Sequence, residues 1–327
     1  MSEGKVLVEV KNLKKHYPVS GGLASKKRKV LKAVDGVDLT IHEGEIVGLV
    51  GESGCGKSTL GRTILRLHPV TDGEVVFEGT HIENMKMKAL RPLRRDMQMI
   101  FQDPYASLSP RMTIYESVKA PLDVLEANLS AQEKDAKIQE ILHTVGVTDQ
   151  HMNKYPHELS GGQRQRVVIA RAMITNPKFV VCDEPVSALD VSVRAQVLNL
   201  MKRVQQDTGV AYLFISHDLS VVKYICQTVA VMYLGKIVEL APKKELYENP
   251  QHPYTKALMS AIPIPDITVK RDRIVLKGDI PSPVNPPKGC HFHTRCPYAM
   301  EKCSEIEPEL RDDGCGHQVA CHLVHKP

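Results

Sequence analysis

The chain has 327 residues, 25% of them charged and 42% hydrophobic, with a formal net charge of +5. That length is too great for one small core and predicts two domains, and the composition is that of an ordinary soluble globular protein. The mild positive balance gives no argument for nucleic acid, and no uncharged apolar stretch reaches the ~18 residues a membrane-spanning helix requires.

The N-terminus, Met1-Ser2-Glu3-Gly4-Lys5, reads as neither a secretory signal nor a lipidation site. The chain is therefore expected in the cytoplasm, with any membrane role exerted through partners. Residues 5–11 and 30–41 alternate apolar and polar positions as strands do. Between them Pro18 to Lys29 predicts an exposed hairpin loop, and Lys26-Lys27-Arg28-Lys29 reads as part of that solvated loop rather than as a nucleic-acid patch. Glu45 to Val50 is a short apolar run suited to a buried strand, and Thr59 to Leu65 suits a helix. Between those two stands Gly51-Glu52-Ser53-Gly54-Cys55-Gly56-Lys57-Ser58, which fits the P-loop pattern G-x-x-x-x-G-K-[ST]. In that order of strand, glycine turn and helix, backbone N–H groups and the helix N-terminus converge on phosphate oxygens. Lys57 then reaches the β- and γ-phosphates and the Ser58 hydroxyl ligates Mg²⁺.

From Asp103 to Glu158 the pattern turns helical. Ser130 and Glu133 form a capping box, and Ile138, Ile141, Leu142 and Val145 share one apolar face before Gly146. Leu159-Ser160-Gly161-Gly162-Gln163 is a second glycine-rich turn that opens a helix. Strand-like runs return at 179–182, 211–216 and 229–233, so strands alternate with helices and a mostly parallel sheet is expected. The first of these runs ends in Asp183-Glu184, a carboxylate pair suited to a Mg²⁺ contact and to polarising an attacking water. Beyond about Leu240 the composition shifts toward Pro, His and Cys, and a separate small domain is expected over 262–327. Five of the eight cysteines crowd there, as Cys290, Cys296, Cys303, Cys315 and Cys321. In a reducing compartment four thiolates suit zinc or an iron–sulfur cluster, or stay free buried cysteines, and the lack of a C-x₂-C pair weakens a zinc knuckle. Cys55, inside the P-loop and beside Lys57, is a candidate for a lowered thiol pKa and so for alkylation.

The P-loop and the Leu159–Gln163 turn together resemble the ATPase subunits of ABC transporters. That resemblance spans nearly the first 260 residues. It implies a P-loop NTPase (RecA-like) α/β core with an antiparallel β subdomain, a helical insertion over about 103–165, and an ATPase domain over 1–261. It further implies that Tyr17 stacks on adenine and that Gly51, Ser53, Gly54, Gly56, Lys57, Ser58 and Thr59 hold the phosphates. Gln102 is the glutamine that senses Mg²⁺ and the γ-phosphate, with Ser58 and Asp183 as its companions at Mg²⁺. Glu184 is the general base, His217 the switch histidine at the γ-phosphate, and Asp190 closes the Ser187-Ala188-Leu189-Asp190 loop. Ser160, Gly161, Gly162 and Gln163 contact the ATP held by a second chain, so hydrolysis is conditional on dimer closure.

Phe101 to Arg111, Asp183 to Val193, Asn249 to Thr255 and Pro281 to Pro287 are more specific. They resemble the second ATPase subunit of bacterial oligopeptide and dipeptide importers. This implies, as partners, a second and distinct ATPase subunit, two transmembrane permeases and an external peptide-binding protein, with the chain at the cytoplasmic face of the membrane. The same resemblance implies a [4Fe–4S] cluster on Cys290, Cys296, Cys303 and Cys321, with Cys315 spare and zinc, drawing on His291, His293 or His317, as the alternative. An importer for nickel or another non-peptide solute stays open on sequence, as does, more remotely, a soluble ABC ATPase of DNA repair or translation.

Overall fold

A computed structural model describes residues 4–19, 29–262, 273–312 and 314–325. The Lys26–Arg28 part of the basic run and most of its hairpin loop lie outside the described residues. In chain order the strands and main helices begin with β1 (Val6–Val19), β2 (Lys29–His42), β3 (Ile46–Val50), α1 (Lys57–Ile64), β4 (Asp72–Phe77), β5 (Thr80–His81) and β6 (Met97–Ile100). They continue with α2 (Ile114–Leu125), α3 (Ala131–Thr144), α4 (Gly161–Met173), β7 (Phe179–Asp183), α5 (Val191–Thr208), β8 (Ala211–Ile215) and α6 (Leu219–Ile225). The last are β9 (Thr228–Tyr233), β10 (Lys236–Pro242), α7 (Pro253–Ser260), β11 (Arg311–Asp312) and β12 (Gln318–Val319).

The chain divides into two discontinuous compact units. The first comprises Met1–Leu7, Ile41–Glu45 and Asn84–Ile215. Here β6, β7 and β8 pair in parallel, with Met97 opposite Phe179 and Phe179 opposite Ala211. Every residue of β7 and β8 is buried, as parallel strands covered on both faces require. Helix α4 packs against α2, α3 and α5, so the glycine turn that opens it stands at the hub of the helical part. The expected capping box at Ser130 and Glu133 is present and starts α3, which ends before Gly146 at φ 75°. Helix α5 is bounded by the Asp190 carboxylate, which accepts the Val193 N–H, and by Gly209 in the left-handed conformation.

The second unit comprises Val8–Thr40, Ile46–Glu83 and Ser216–Pro327. Strand β3 runs parallel to β9, and β9 turns back antiparallel into β10. Strand β10 pairs with β12, and β12 with β11. A four-stranded sheet in the order β2-β1-β4-β5 accompanies them. The described tail residues therefore build onto β10 and share this unit with the first strands rather than standing apart. Two-residue strands such as β11 and β12 need such an edge, because a lone hairpin of that size is not stable in water.

Candidate active site

In the second unit the P-loop leaves β3 at Gly51 and enters α1 at Lys57. Two of its glycines are forced. A Cβ on Gly51 would lie 2.1 Å from the Met232 carbonyl oxygen, and one on Gly56, at φ 108°, would lie 2.1 Å from that of Ala33. Gly54, at φ 79°, faces open space instead. The loop is thus gripped from its flanks and open at its tip, where Ser53 is also exposed. Ser58 and Thr59 follow in the first turn of α1, half-buried. Lys57 is buried, and its ammonium donates to the carbonyl oxygens of Gly51 at 2.8 Å and Glu52 at 2.9 Å. An anion entering the loop would compete with those two carbonyls for the same charge.

The Cys55 thiol contradicts the sequence expectation. Its neighbour Lys57 is at 3.7 Å and pulls its pKa down, but burial acts more strongly and leaves the thiol above its ordinary value. Tyr17, on β1, carries the Lys15 ammonium 4.7 Å from its ring centroid and the His68 ring edge-on at 6.0 Å. His217 is exposed just after β8, between Ser216 and Asp218, and the Ser216 hydroxyl accepts the Asp218 N–H at 3.0 Å.

In the first unit Asp183 is fully buried at the end of β7. Glu184 follows at φ 46°, left-handed, with its N–H donating to the Ile215 carbonyl and its own carbonyl accepting the Ser187 hydroxyl at 3.0 Å. The Gln102 amide donates to the Glu184 carboxylate at 3.0 Å. Two residues 82 positions apart in sequence are brought together there, each expected at the site on its own.

The Leu159–Gln163 turn is a second capping box. Ser160 accepts the Gln163 N–H at 3.3 Å, and the Gln163 side chain accepts the Ser160 N–H at 2.9 Å. This role of Gln163 was missed from sequence, although serine followed three residues later by glutamine is a legible signal. A Cβ on Gly162 would lie 2.4 Å from a Val193 methyl, whereas one on Gly161 would make only an ordinary contact at 3.7 Å. Asp190 spends its carboxylate on capping α5, with the Val193 N–H at 3.0 Å and the Ser192 hydroxyl at 2.8 Å, and these bonds hold its pKa below the ordinary value.

All eight cysteines are free. The Cys290 thiol is pushed up to about 12, first by burial and then by the neighbouring thiols of Cys303, Cys321 and Cys296. Burial likewise raises Cys296 and Cys321. These four side chains share one neighbourhood and Cys315 is exposed. They do not converge as expected of a formed ligand set: among the described residues no group of three or more His, Cys, Asp or Glu is arranged to hold a metal ion. The histidines of the zinc alternative have other partners. The rings of His291 and His293 bond the carbonyls of Leu234 and Cys290, and buried His317 bonds Glu239 at 2.7 Å.

A family described as ABC transporter matches residues 34–187, and one described as the C-terminal region of oligopeptide/dipeptide transporters matches residues 238–303. The chain is 51% identical over 322 residues to the oligopeptide transport ATP-binding protein AppF of Bacillus subtilis, covering 98% of each. It is 50% identical over 329 residues to the oligopeptide transport ATP-binding protein OppF of Escherichia coli, covering 99% of this chain and 98% of that one. Among solved structures it is similar to a dimeric ATP-binding cassette, MJ0796, bound to ADP and Pi. That likeness has a TM-score of 0.65 at 30% identity and covers 72% of this chain and 99% of the other. CbiO1 of Clostridium perfringens, described as part of an ABC transporter complex, matches with a TM-score of 0.64 at 25% identity, covering 75% and 92%.

Proposed function

Because this chain belongs to the ATP-binding subunits of ABC oligopeptide transporters, we infer that it hydrolyses ATP to power the uptake of oligopeptides or dipeptides through partner permeases. The observation that carries this reading is likeness along essentially the whole chain, tail included, to oligopeptide transport subunits. That likeness disfavours nickel or another solute, and equally a non-transport ATPase. Among the described residues no helix is long and apolar enough to cross a membrane, so attachment falls to the permeases, with an external binding protein delivering peptide. A second, distinct ATPase subunit belongs to this reading as well. The dimeric state described for MJ0796 supports pairing of two cassettes.

The residues divide the work as follows. Lys57 and the backbone N–H groups of the loop neutralise and orient the phosphates, since phosphoryl transfer needs positioning and charge more than covalent chemistry. Tyr17 offers its ring to adenine. Ser58, Gln102 and Asp183 are the oxygen donors assigned to Mg²⁺, which supplies further positive charge when bound; one carboxylate among few protein ligands is the donor set this ion takes. Glu184, held by Gln102, polarises the attacking water, and His217 contacts the γ-phosphate. Ser160, Gly161, Gly162 and Gln163 serve the nucleotide of the paired chain, with Asp190 beside the seam. The nucleotide chemistry thus falls within 1–261, and five of the eight cysteines fall within 262–327. We assign Cys290, Cys296, Cys303 and Cys321 to a [4Fe–4S] cluster from the family resemblance alone. The ATP chemistry runs without it, and among the described residues the thiols do not converge to hold a metal.

Glu184→Gln keeps the shape of the side chain and removes the base. With Mg-ATP this variant is expected to lose at least about a hundredfold in turnover and to elute as a stable ATP-bound dimer on size-exclusion chromatography. Lys57→Ala is expected to lose nucleotide binding itself. Normal turnover by Glu184→Gln would remove Glu184 from the role of base.

A further inference from the structure

The P-loop of this chain is tied to the C-terminal segment at a single residue, Glu52. Its carboxylate is held by both terminal nitrogens of Arg295, at 2.7 and 3.2 Å, across 243 positions of sequence. Its N–H donates to the Tyr254 hydroxyl at 2.9 Å, and its carbonyl accepts the Lys57 ammonium at 2.9 Å. Every polar group of Glu52 therefore has a partner, and two of those partners come from beyond residue 250.

Arg295 is itself fastened. Its side chain is 8% exposed, against 27% for Glu52, so the pair is shielded from water and differs from a solvated surface bridge. Its N–H donates to the Phe292 carbonyl at 3.0 Å. Phe292 is buried against Tyr233 and Tyr254, with ring centroids 5.2 and 5.4 Å away, and the guanidinium lies 6.0 Å from the Tyr233 centroid. A planar guanidinium gripping a carboxylate at two points fixes direction as well as distance, which lysine cannot do.

Given the ATP-binding reading above, on which this step rests, we propose that Arg295 is a positioning residue for nucleotide binding. It holds the P-loop in its binding curve through Glu52, and so makes the cysteine-rich segment part of the nucleotide site. A loop already curved around the phosphate position loses little conformational freedom when ATP arrives; one released from its tether must be ordered at that moment, and affinity falls.

The test uses the full-length chain, trinitrophenyl-ATP as the fluorescent probe, and competition by Mg-ATP. Arg295→Gln is expected to weaken binding roughly tenfold, the effect of losing one charge-assisted contact. Arg295→Lys should recover part of the loss, and Glu52→Gln should match Arg295→Gln. The double variant should be no weaker than either single one, since both remove the same link. Amide hydrogen exchange over residues 52–56 without nucleotide should quicken in Arg295→Gln. Wild-type affinity in a normally melting Arg295→Gln chain would overturn the proposal, as would additive losses in the double variant. Should Arg295→Gln fail to fold, Glu52→Gln decides alone, because its side chain is the more exposed partner. Loss of binding in Lys57→Ala beside unchanged affinity in Arg295→Gln refutes only the tether, whereas normal binding by Lys57→Ala refutes the nucleotide reading itself.

Discussion

Glu184 stands in a backbone conformation, φ 46°, that costs a non-glycine residue about 1–2 kcal/mol. The cost is met where the Ile215 carbonyl and the Ser187 hydroxyl hold its backbone and Gln102 holds its carboxylate. Strain of this kind gathers at residues whose side chain must be aimed. Cys55 makes the opposite point, since a chemically plausible reactive thiol is silenced by its surroundings. Burial outweighs the Lys57 charge and keeps the sulfur protonated at neutral pH. Iodoacetamide at pH 7 is therefore expected to label exposed Cys315 well before Cys55, as read by peptide mass spectrometry. Labelling of Cys55 first would show that its nucleophilicity follows Lys57 rather than burial.

At the scale of elements, the two adjacent glycines that open α4 have different reasons to be glycine. Gly162 faces Val193 in the first turn of α5, where a Cβ would come within 2.4 Å of a methyl group on a stiff β-branched side chain. Gly161 has room. Gly162→Ala is expected to lower the stability of the chain by about 1–3 kcal/mol through overpacking. Gly161→Ala should change it by less than about 0.5 kcal/mol. Urea melts followed by far-ultraviolet circular dichroism separate the two, and equal losses would mean that α4 and α5 do not pack as described. The capping boxes at Ser130 and Ser160 show how much of this level is legible in sequence. Their partners lie three residues apart, so the geometry follows from local chain alone.

For the whole molecule, one buried histidine at the start of α7 ties stability to pH. His252 is fully buried, and burial pushes its pKa down to about 3. Its Nδ1 accepts the Tyr254 N–H at the start of α7, which requires the unprotonated ring. An unfolded histidine takes up a proton near pH 6.5, so between that pH and the folded value the unfolded state binds more protons. Stability is then complete above about pH 6.5 and falls as pH drops toward 3, at up to about 1.4 kcal/mol per pH unit from this group. His252→Asn retains a capping acceptor and removes the titration. Its unfolding free energy from urea melts at pH 7, 6 and 5 should fall less steeply than that of the parent chain, and equal slopes would rule His252 out as the source.

The sequence by itself determined the family and the short-range architecture of this protein. P-loop, carboxylate pair and the Leu159–Gln163 turn each consist of neighbours in the chain, and strand, turn and helix around them follow from patterns a few residues long. Only the tertiary structure decided what depends on distant packing: Arg295 on Glu52, the silenced Cys55 thiol, the left-handed Glu184, the tail strands laid on β10. These turn on desolvation and on pairing across tens to hundreds of residues. A linear string carries the donors and acceptors for such contacts, but not which of them are withdrawn from water together.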